Sequence, residues 1–148
     1  LDASARGDAR LAALLQRVAA RLDDLPPAGL RGVLTALARL DLSPPWTPRL
    51  LARIRKNLEA FDSRSVAVVL LGLVRLPEAA AATAHVEAAG LACALPRALL
   101  GRPPRELREL RPLELASLCT GLACLRTRSP QLLGHLSAAL AARLGEAA

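Results

Sequence analysis

The stretch LEAFDSRSVAVVLLGLVRL, from Leu58 to Leu76, decides the fold because two further stretches match it without a gap. They are LDDLPPAGLRGVLTALARL, which begins at Leu22, and LRELRPLELASLCTGLACL, which begins at Leu107. The period is therefore 36 residues from the first stretch to the second and 49 residues from the second to the third. A period of a few tens of residues is typical of proteins built from stacked structural repeats.

Each stretch predicts one amphipathic helix of about 14 residues, which we call a B helix, because apolar residues recur three and four positions apart. Asp62-Ser63 supplies an N-cap, while Pro26-Pro27 and Pro112 suit a first helical turn. The predicted B helices are 27–40, 63–76 and 112–125. The apolar positions that share repeat register are Leu22/Leu58/Leu107, Leu25/Phe61/Leu110, Leu30/Val66/Leu115, Val33/Val69/Leu118, Leu37/Leu73/Leu122 and Leu40/Leu76/Leu125.

A small residue occupies one register position in all three B helices: Ala36, Gly72 and Gly121. Glycine lowers the stability of an isolated helix, so a recurring small residue indicates a packing requirement. We therefore expect a neighbouring helix to approach closely at each of these positions.

A second helix, which we call an A helix, is predicted before each B helix and at the end of the chain. The predicted spans are Asp8 to Asp23, Pro44 to Ala60 with Ser43 as its cap, and Pro130 to Glu146. The A helix of the third repeat covers Glu78 to Gly90 and is followed by Pro96 and Pro103-Pro104. The insertion of 13 residues there allows either one longer, kinked helix or two short helices.

The predicted fold is thus all-α, an α-solenoid of antiparallel helix pairs in which each repeat packs only on its neighbours. Residues 1–148 form one such segment, with repeats at approximately 8–42, 43–77, 78–128 and 129–148, the last being a half repeat. Because the last A helix lacks a partner and the chain begins at Leu1 without any Met, we expect a processed or partial chain.

The composition fits helices and points to a polyanionic partner. Hydrophobic residues make up 53% of the chain but aromatic residues only 1%, which disfavours a β-sandwich. The net charge is +7, and nineteen of the twenty cationic residues are Arg, which binds phosphate with a planar fork. Nucleic acid is therefore favoured over an anionic membrane surface. Biased codon usage in a GC-rich genome is the alternative reason for high Ala and Arg.

The remaining composition excludes several classes of site. Cys93, Cys119 and Cys124 form no CxxC pair, so we expect small buried apolar residues in preference to a metal or disulfide site. The longest apolar run, Val66 to Val74, is too short to span a bilayer, which needs about 18–20 residues. No membrane partner is predicted.

The unit from Pro44 to Leu76 has the sequence PPWTPRLLARIRKNLEAFDSRSVAVVLLGLVRL. It resembles the organellar octotricopeptide and heptatricopeptide repeats, which are related to the repeats of RAP-domain and FAST-kinase-like proteins. These repeats often open with Pro-Pro and Trp, carry Leu-x-x-Phe between the helices and close on a Leu/Ala-rich helix. TALARLDL (Thr35 to Leu42) and LGLVRLPE (Leu71 to Glu78) match this last element, with the family's Trp replaced by Thr35, Leu71 and Thr120.

The resemblance implies a protein that binds single-stranded or ribosomal RNA in mitochondria, or alternatively in chloroplasts or other plastids. It also implies other protein partners, because such proteins resemble accessory subunits of mitochondrial ribosomes or RNA-processing complexes. It implies no small-molecule substrate.

The predicted RNA-binding residues lie on the polar sides of the A helices and in the inserted segment. Residues 43–58 contain no acid, and their cations cluster on one helix face. The stretch from Arg97 to Arg111 carries five Arg against Glu106 and Glu109, so it is either a local RNA contact or a solvated linker. The complete predicted set is Arg10, Arg17, Arg21, Arg49, Arg53, Arg55, Lys56, Arg102, Arg105 and Arg108.

Catalysis is not predicted, and neither is a cofactor or a metal. His85 and His135 lie on different A helices, with no spacing that makes a triad, a metal site or a phosphate loop. The competing function is a scaffold whose solenoid binds a peptide or a partner helix without RNA.

Overall fold

The computed structural model describes residues 3–76, 82–126 and 129–146, and these residues are all-helical, with no strand among them. Two short 3-10 turns, Leu22–Asp24 and Leu58–Ala60, join helices. The α-helices are α1 (Ala3–Ala20), α2 (Pro27–Arg39), α3 (Thr47–Lys56), α4 (Ser63–Arg75), α5 (Ala82–Leu100), α6 (Pro104–Glu109), α7 (Pro112–Cys124) and α8 (Pro130–Glu146). The all-α prediction is confirmed.

The three B helices are α2, α4 and α7, and each ends within one residue of its predicted boundary. The Asp62 carboxylate caps α4 by accepting the Ser65 N–H at 2.8 Å. Pro27 and Pro112 occupy the first turns of α2 and α7, where a missing N–H costs nothing. At α7 the Glu114 side chain reaches back and accepts the Arg111 N–H at 2.8 Å.

The B helices pack side by side in the order α2, α4, α7. They run parallel, because residues near their N-termini meet in both pairs. The Arg31 guanidinium donates to Ser65 Oγ at 3.0 Å, and Arg64 pairs with Glu114 at 2.8 Å. α4 therefore presents one face to α2 and another to α7.

Close approach is confirmed at two of the three predicted small residues. A methyl group added at Gly72 would lie 3.0 Å from Leu34 Cγ, and one added at Gly121 would lie 2.5 Å from Leu70 Cγ. Leu34 and Leu70 share one repeat register, so the same contact is made twice. The expectation is wrong for Ala36, which is exposed because no described helix packs on that side of α2.

The predicted A-helix boundaries need correction in three places. α1 spans Ala3–Ala20 and not residues 8–23, because a 3-10 turn takes up Leu22–Asp24. α3 begins at Thr47 and not at Pro44, since a turn closed by the Thr47 N–H and the Pro44 carbonyl at 2.9 Å precedes it. Ser43 is not its cap, because Ser43 Oγ has no hydrogen-bond partner.

The insertion forms one long helix, α5, followed by the short α6. Pro96 does not break α5, although an interior proline removes one backbone hydrogen bond. Leu91, Leu95 and Leu99 lie on one face of this helix and are fully buried, so packing holds the helix through Pro96. α5 ends at Leu100, shortly before Pro103-Pro104, and α8 packs against α6, α7 and α5.

The core is built almost entirely from leucine, as the composition predicts. Phe61 is 2% exposed, and Trp46 packs partly buried against the same cluster. The expectation that the cysteines are buried is wrong for Cys93 and Cys124, which are exposed, while Cys119 is half-buried. Some aligned B-helix positions differ in burial where no described helix packs alongside, as Val33 is half-buried and Val69 is buried.

Candidate nucleic-acid interface

Most cations on the predicted basic face of α3 contact other residues of the same chain. The Arg49 guanidinium pairs with the Asp23 carboxylate, and the Arg53 guanidinium donates to the Asp23 backbone carbonyl. The hydrogen bond from Arg49 holds the pKa of the Asp23 carboxyl below its ordinary value, and the charges of Arg49 and Arg53 add to this. Both arginines thus connect α3 to the turn that follows α1.

The next two predicted cations of α3 differ from each other. Arg55 pairs with Glu87 on α5 at 3.2 Å, and its side chain remains 44% exposed. Lys56 is exposed and forms no ion pair with a described residue. Of the four predicted α3 cations, Lys56 is therefore the one with neither an ion pair nor a side-chain hydrogen bond in the described part of the chain.

Arg102 is a half-buried cation that holds the turn between α3 and α4. Its guanidinium donates to the Phe61 carbonyl and, at 3.3 Å, to the Leu58 carbonyl, while it pairs with Glu106 at 3.4 Å. The same Glu106 carboxylate accepts a hydrogen bond of 2.9 Å from the buried Ser63 hydroxyl. With 14% of its side chain exposed, Arg102 has little surface left for a partner.

Arg53 and Arg102 make the same kind of contact one repeat apart. Each donates to backbone carbonyls in the turn that ends the preceding A helix. Carbonyls at the end of a helix have no partner within that helix, and a cation there is also stabilised by the negative end of the helix dipole. We call this contact the arginine clamp. Its recurrence indicates that part of the basic composition holds the turns between consecutive helices.

Arg10 and Arg17 lie seven positions apart on one face of α1, and Arg21 follows the helix in the turn; all three are exposed. Arg17 aligns with Arg53 in the repeat register, so stacked A helices are predicted to bring the two cations close together. This track across α1 and α3 stays a prediction.

Arg105 and Arg108 lie on α6 and are exposed to solvent. Glu106 and Glu109 alternate with them along the same short helix. These two arginines belong to the edge of the molecule where A helices end and B helices begin. Most described acids lie on this A-to-B edge: Asp23, Asp24, Glu59, Asp62, Glu106, Glu109 and Glu114.

The opposite edge, where B helices end, carries a row of cations that sequence reasoning missed. Arg39 and Arg75 lie in the last turns of α2 and α4, and Arg126 follows α7. All three are exposed, and none pairs with a described residue. Because the B helices are parallel neighbours, these residues form a row, which we call the arginine edge. The available signal was the shared repeat register of Arg39 and Arg75.

The two edges differ in the negative charge that their described residues carry. On the A-to-B edge, burial raises the pKa of Glu114, but hydrogen bonds from the Arg111 side chain and backbone outweigh this and leave it lowered. On the arginine edge, Asp41 is the single acid among the described residues of the turns after α2, α4 and α7. Within the described residues, the turns of the arginine edge therefore carry less negative charge than those of the A-to-B edge. Glu78, which follows Arg75 in the sequence, lies outside the described residues.

The two histidines are the remaining residues considered for catalysis or metal binding. His135 is exposed on α8, while the side chain of His85 lies outside the described part of the chain. Within the described ranges no three His, Cys, Asp or Glu residues are grouped so that they could hold a metal ion. The helices in these ranges are also too short or too polar to cross a membrane.

Comparison with known proteins adds no relative. No family model matches the chain, and no curated protein and no solved structure is significantly similar to it.

Proposed function

We propose that this chain is a segment of an α-solenoid that binds single-stranded or ribosomal RNA, with the arginine edge as its main phosphate contact. The support for the solenoid is the repeated packing of leucine against glycine, Leu34 on Gly72 and Leu70 on Gly121. The support for RNA is the arginine edge itself, which is the single observation that carries the proposal.

Neighbouring packed helices lie about 8–10 Å apart, so the arginine edge offers one guanidinium roughly every 10 Å. Exposed guanidiniums with few acids around them attract phosphates and release the counterions that surround RNA. Arginine also stacks on unpaired bases, which suits single strands. The predicted residues Lys56, Arg105, Arg108, Arg10, Arg17 and Arg21 are further candidates for RNA contacts away from this row.

The direct test is binding of a fluorescently labelled single-stranded RNA across a salt series. We expect affinity to fall steeply with salt, with a slope of about −0.7 for each phosphate contact. Replacing the whole row, in R39Q/R75Q/R126Q, should flatten the slope by about 2. No binding at about 100 mM salt, or binding that ignores salt, would overturn the proposal.

The triple variant K56Q/R105Q/R108Q is the matched control, because it removes the same charge from the acid-rich A-to-B edge. We expect it to bind RNA more tightly than R39Q/R75Q/R126Q. If the control loses more affinity than the arginine-edge variant, the main RNA contact lies on the A-to-B edge, and the assignment to the arginine edge is wrong. Circular dichroism checks that both variants keep their helix content.

The cellular setting is proposed from the family resemblance. We propose that the protein acts as a structural subunit of a mitochondrial ribosome or RNA-processing complex, together with other protein subunits. A tagged protein should then sediment with mitochondrial ribonucleoprotein particles and lose this association after ribonuclease treatment. Sedimentation as a free protein from untreated mitochondria would contradict the proposal.

A further inference from the structure

The ion pair between Arg49 on α3 and Asp23 in the turn after α1 differs from the others in its exposure to water. Its side chains are 51% and 57% exposed, respectively. In every other ion pair between described residues, at least one partner is no more than 26% exposed. A pair that both partners expose contributes little, because water screens the attraction and holding two side chains together costs entropy. The Asp23 carboxylate is therefore held weakly enough to be displaced from Arg49.

The place that the Asp23 carboxylate takes on Arg49 also suits a phosphate group. A guanidinium binds carboxylate and phosphate oxygens with the same planar set of N–H donors. Arg49 donates to Asp23 through one terminal nitrogen, Nη2, and its side chain forms no other hydrogen bond with a described residue. Its remaining N–H groups are thus available to the oxygens of a phosphate that replaces the carboxylate.

Two further cations of α3 share the Arg49 side of the helix. Arg53, four positions later, donates to the Asp23 backbone carbonyl and not to a carboxylate. Lys56, seven positions later, is exposed. The hydrogen bond from Arg49 lowers the pKa of the Asp23 carboxyl, and the charges of Arg49 and Arg53 add to this. The carboxylate is therefore ionised at neutral pH, where it competes with other anions for Arg49.

Two other paired arginines do not allow the same exchange. Arg102 is 14% exposed, and its guanidinium donates to two backbone carbonyls besides pairing with Glu106. The guanidinium of Arg55 pairs with Glu87 and lies against Gly90, where an added methyl group would collide with it. Both guanidiniums are confined by backbone as well as by a carboxylate, so a phosphate cannot simply take the place of the acid.

We propose that Arg49 is a second phosphate-binding site for RNA, which the Asp23 carboxylate occupies in the free protein and leaves when RNA binds. This inference rests on the proposed RNA-binding function and deepens it. Arg53 is a positioning residue, because it holds the turn that carries Asp23. Lys56 lies about 10 Å further along α3 and binds another phosphate of the same strand. Asp23 thereby lowers the affinity of the protein for RNA.

The test compares two single-charge variants in binding of a labelled single-stranded RNA across a salt series. Asp23→Asn keeps the size of the side chain and removes the charge that holds Arg49. Asp24→Asn is the matched control, because Asp24 is the next residue, is exposed and forms no ion pair with a described residue. We expect D23N to bind RNA about threefold more tightly than D24N, and its salt slope to be steeper by up to about 0.7. Equal affinities of the two variants would overturn the inference.

A double-mutant cycle with Arg49→Gln assigns the gain in affinity to the exchange at Arg49. In the D23N chain no carboxylate competes for Arg49, so R49Q should cost about threefold more affinity there than in the unmodified chain. With Gln at position 49, the D23N and D24N changes should have the same effect, since neither then releases a guanidinium. An R49Q cost that is the same in both backgrounds contradicts the proposed exchange.

The same measurements separate this inference from the proposed function. If the arginine-edge variant loses salt-dependent binding while D23N matches D24N, the Arg49 site is wrong and the arginine edge stands. If the arginine-edge variant binds like the unmodified chain while D23N exceeds D24N, the arginine edge is wrong and the Arg49 site stands. No RNA binding by any of these chains contradicts both proposals. Circular dichroism of each variant identifies any change in affinity that comes from unfolding.

Discussion

α4 and α2 have nearly the same repeat pattern but very different surroundings. α4 packs between α2 and α7, and Val69 and Gly72 are buried. In α2 the equivalent Val33 is half-buried and Ala36 is exposed, because that side has no neighbour. The comparison teaches that the repeat pattern defines which face can be covered, while the neighbouring helix decides whether it is.

The largest difference should come from placing valine at the small register position. Gly72→Val forces a branched side chain against Leu34, which is completely buried, and should cost about 3 kcal/mol of unfolding free energy. Ala36→Val changes an exposed position and should cost about 0.5 kcal/mol through helix propensity. Urea denaturation of both variants measures the two costs. Equal costs would show that α2 and α4 do not differ in packing.

Truncating the valines of the two helices should give the next largest difference. Val69→Ala removes two fully buried methyl groups and leaves a cavity, so we expect a loss of about 2 kcal/mol. Val33→Ala should cost about 1 kcal/mol or less, since water already reaches part of that side chain. The same denaturation experiment applies. A larger loss at Val33 than at Val69 would contradict the arrangement of the B helices.

The clamps that hold the turns before α2 and α4 provide a third comparison. Arg102→Ala leaves the Leu58 and Phe61 carbonyls and Glu106 without this donor, and should cost about 1.5 kcal/mol. Arg53→Ala removes one carbonyl contact and should cost less. Hydrogen exchange should show faster local opening of the turn affected by each change. If the exchange rate at both turns stays unchanged, the clamps do not stabilise these turns.

The smallest effect concerns the start of α4, where Asp62 is an N-cap and α2 has Pro26 instead. Asp62→Ala should cost about 1 kcal/mol. The hydrogen bond from Ser65 lowers the pKa of Asp62 in the folded protein. The stabilisation is therefore complete above the unfolded-state pKa of about 4 and is lost as the pH falls through the lower folded-state value.

Asp62→Asn is the control for this effect, because asparagine caps helices well but does not titrate in this range. It should retain most of the stability at neutral pH and lose the part of the acid dependence that comes from Asp62. An unchanged acid dependence in this variant would assign the dependence to other carboxyl groups.

Much of the local structure could be predicted from periodicity and caps. The B helices were predicted within one residue, since their apolar spacing and their Pro and Asp starts agree. α8 was predicted at its observed bounds for the same reason. Pro96 was the ambiguous residue, because its cost to a helix depends on burial that a local pattern does not contain.

The candidate site was less predictable. The cations on the α3 face were identified, but their engagement with Asp23 and Glu87 depends on residues 26–32 positions away in sequence. The arginine edge was missed because its members lie in separate helices, and only the parallel packing of those helices brings them into one row.

By itself the sequence determined the helices, their caps and the repeat register, because these depend on contacts within a few residues. The tertiary structure decided which equivalent positions are buried and which arginines remain exposed. Both depend on whether a second surface displaces water from a residue, and the register of one helix cannot supply that surface. The contrast between Gly72, held against Leu34, and Ala36, open to solvent, is the clearest case.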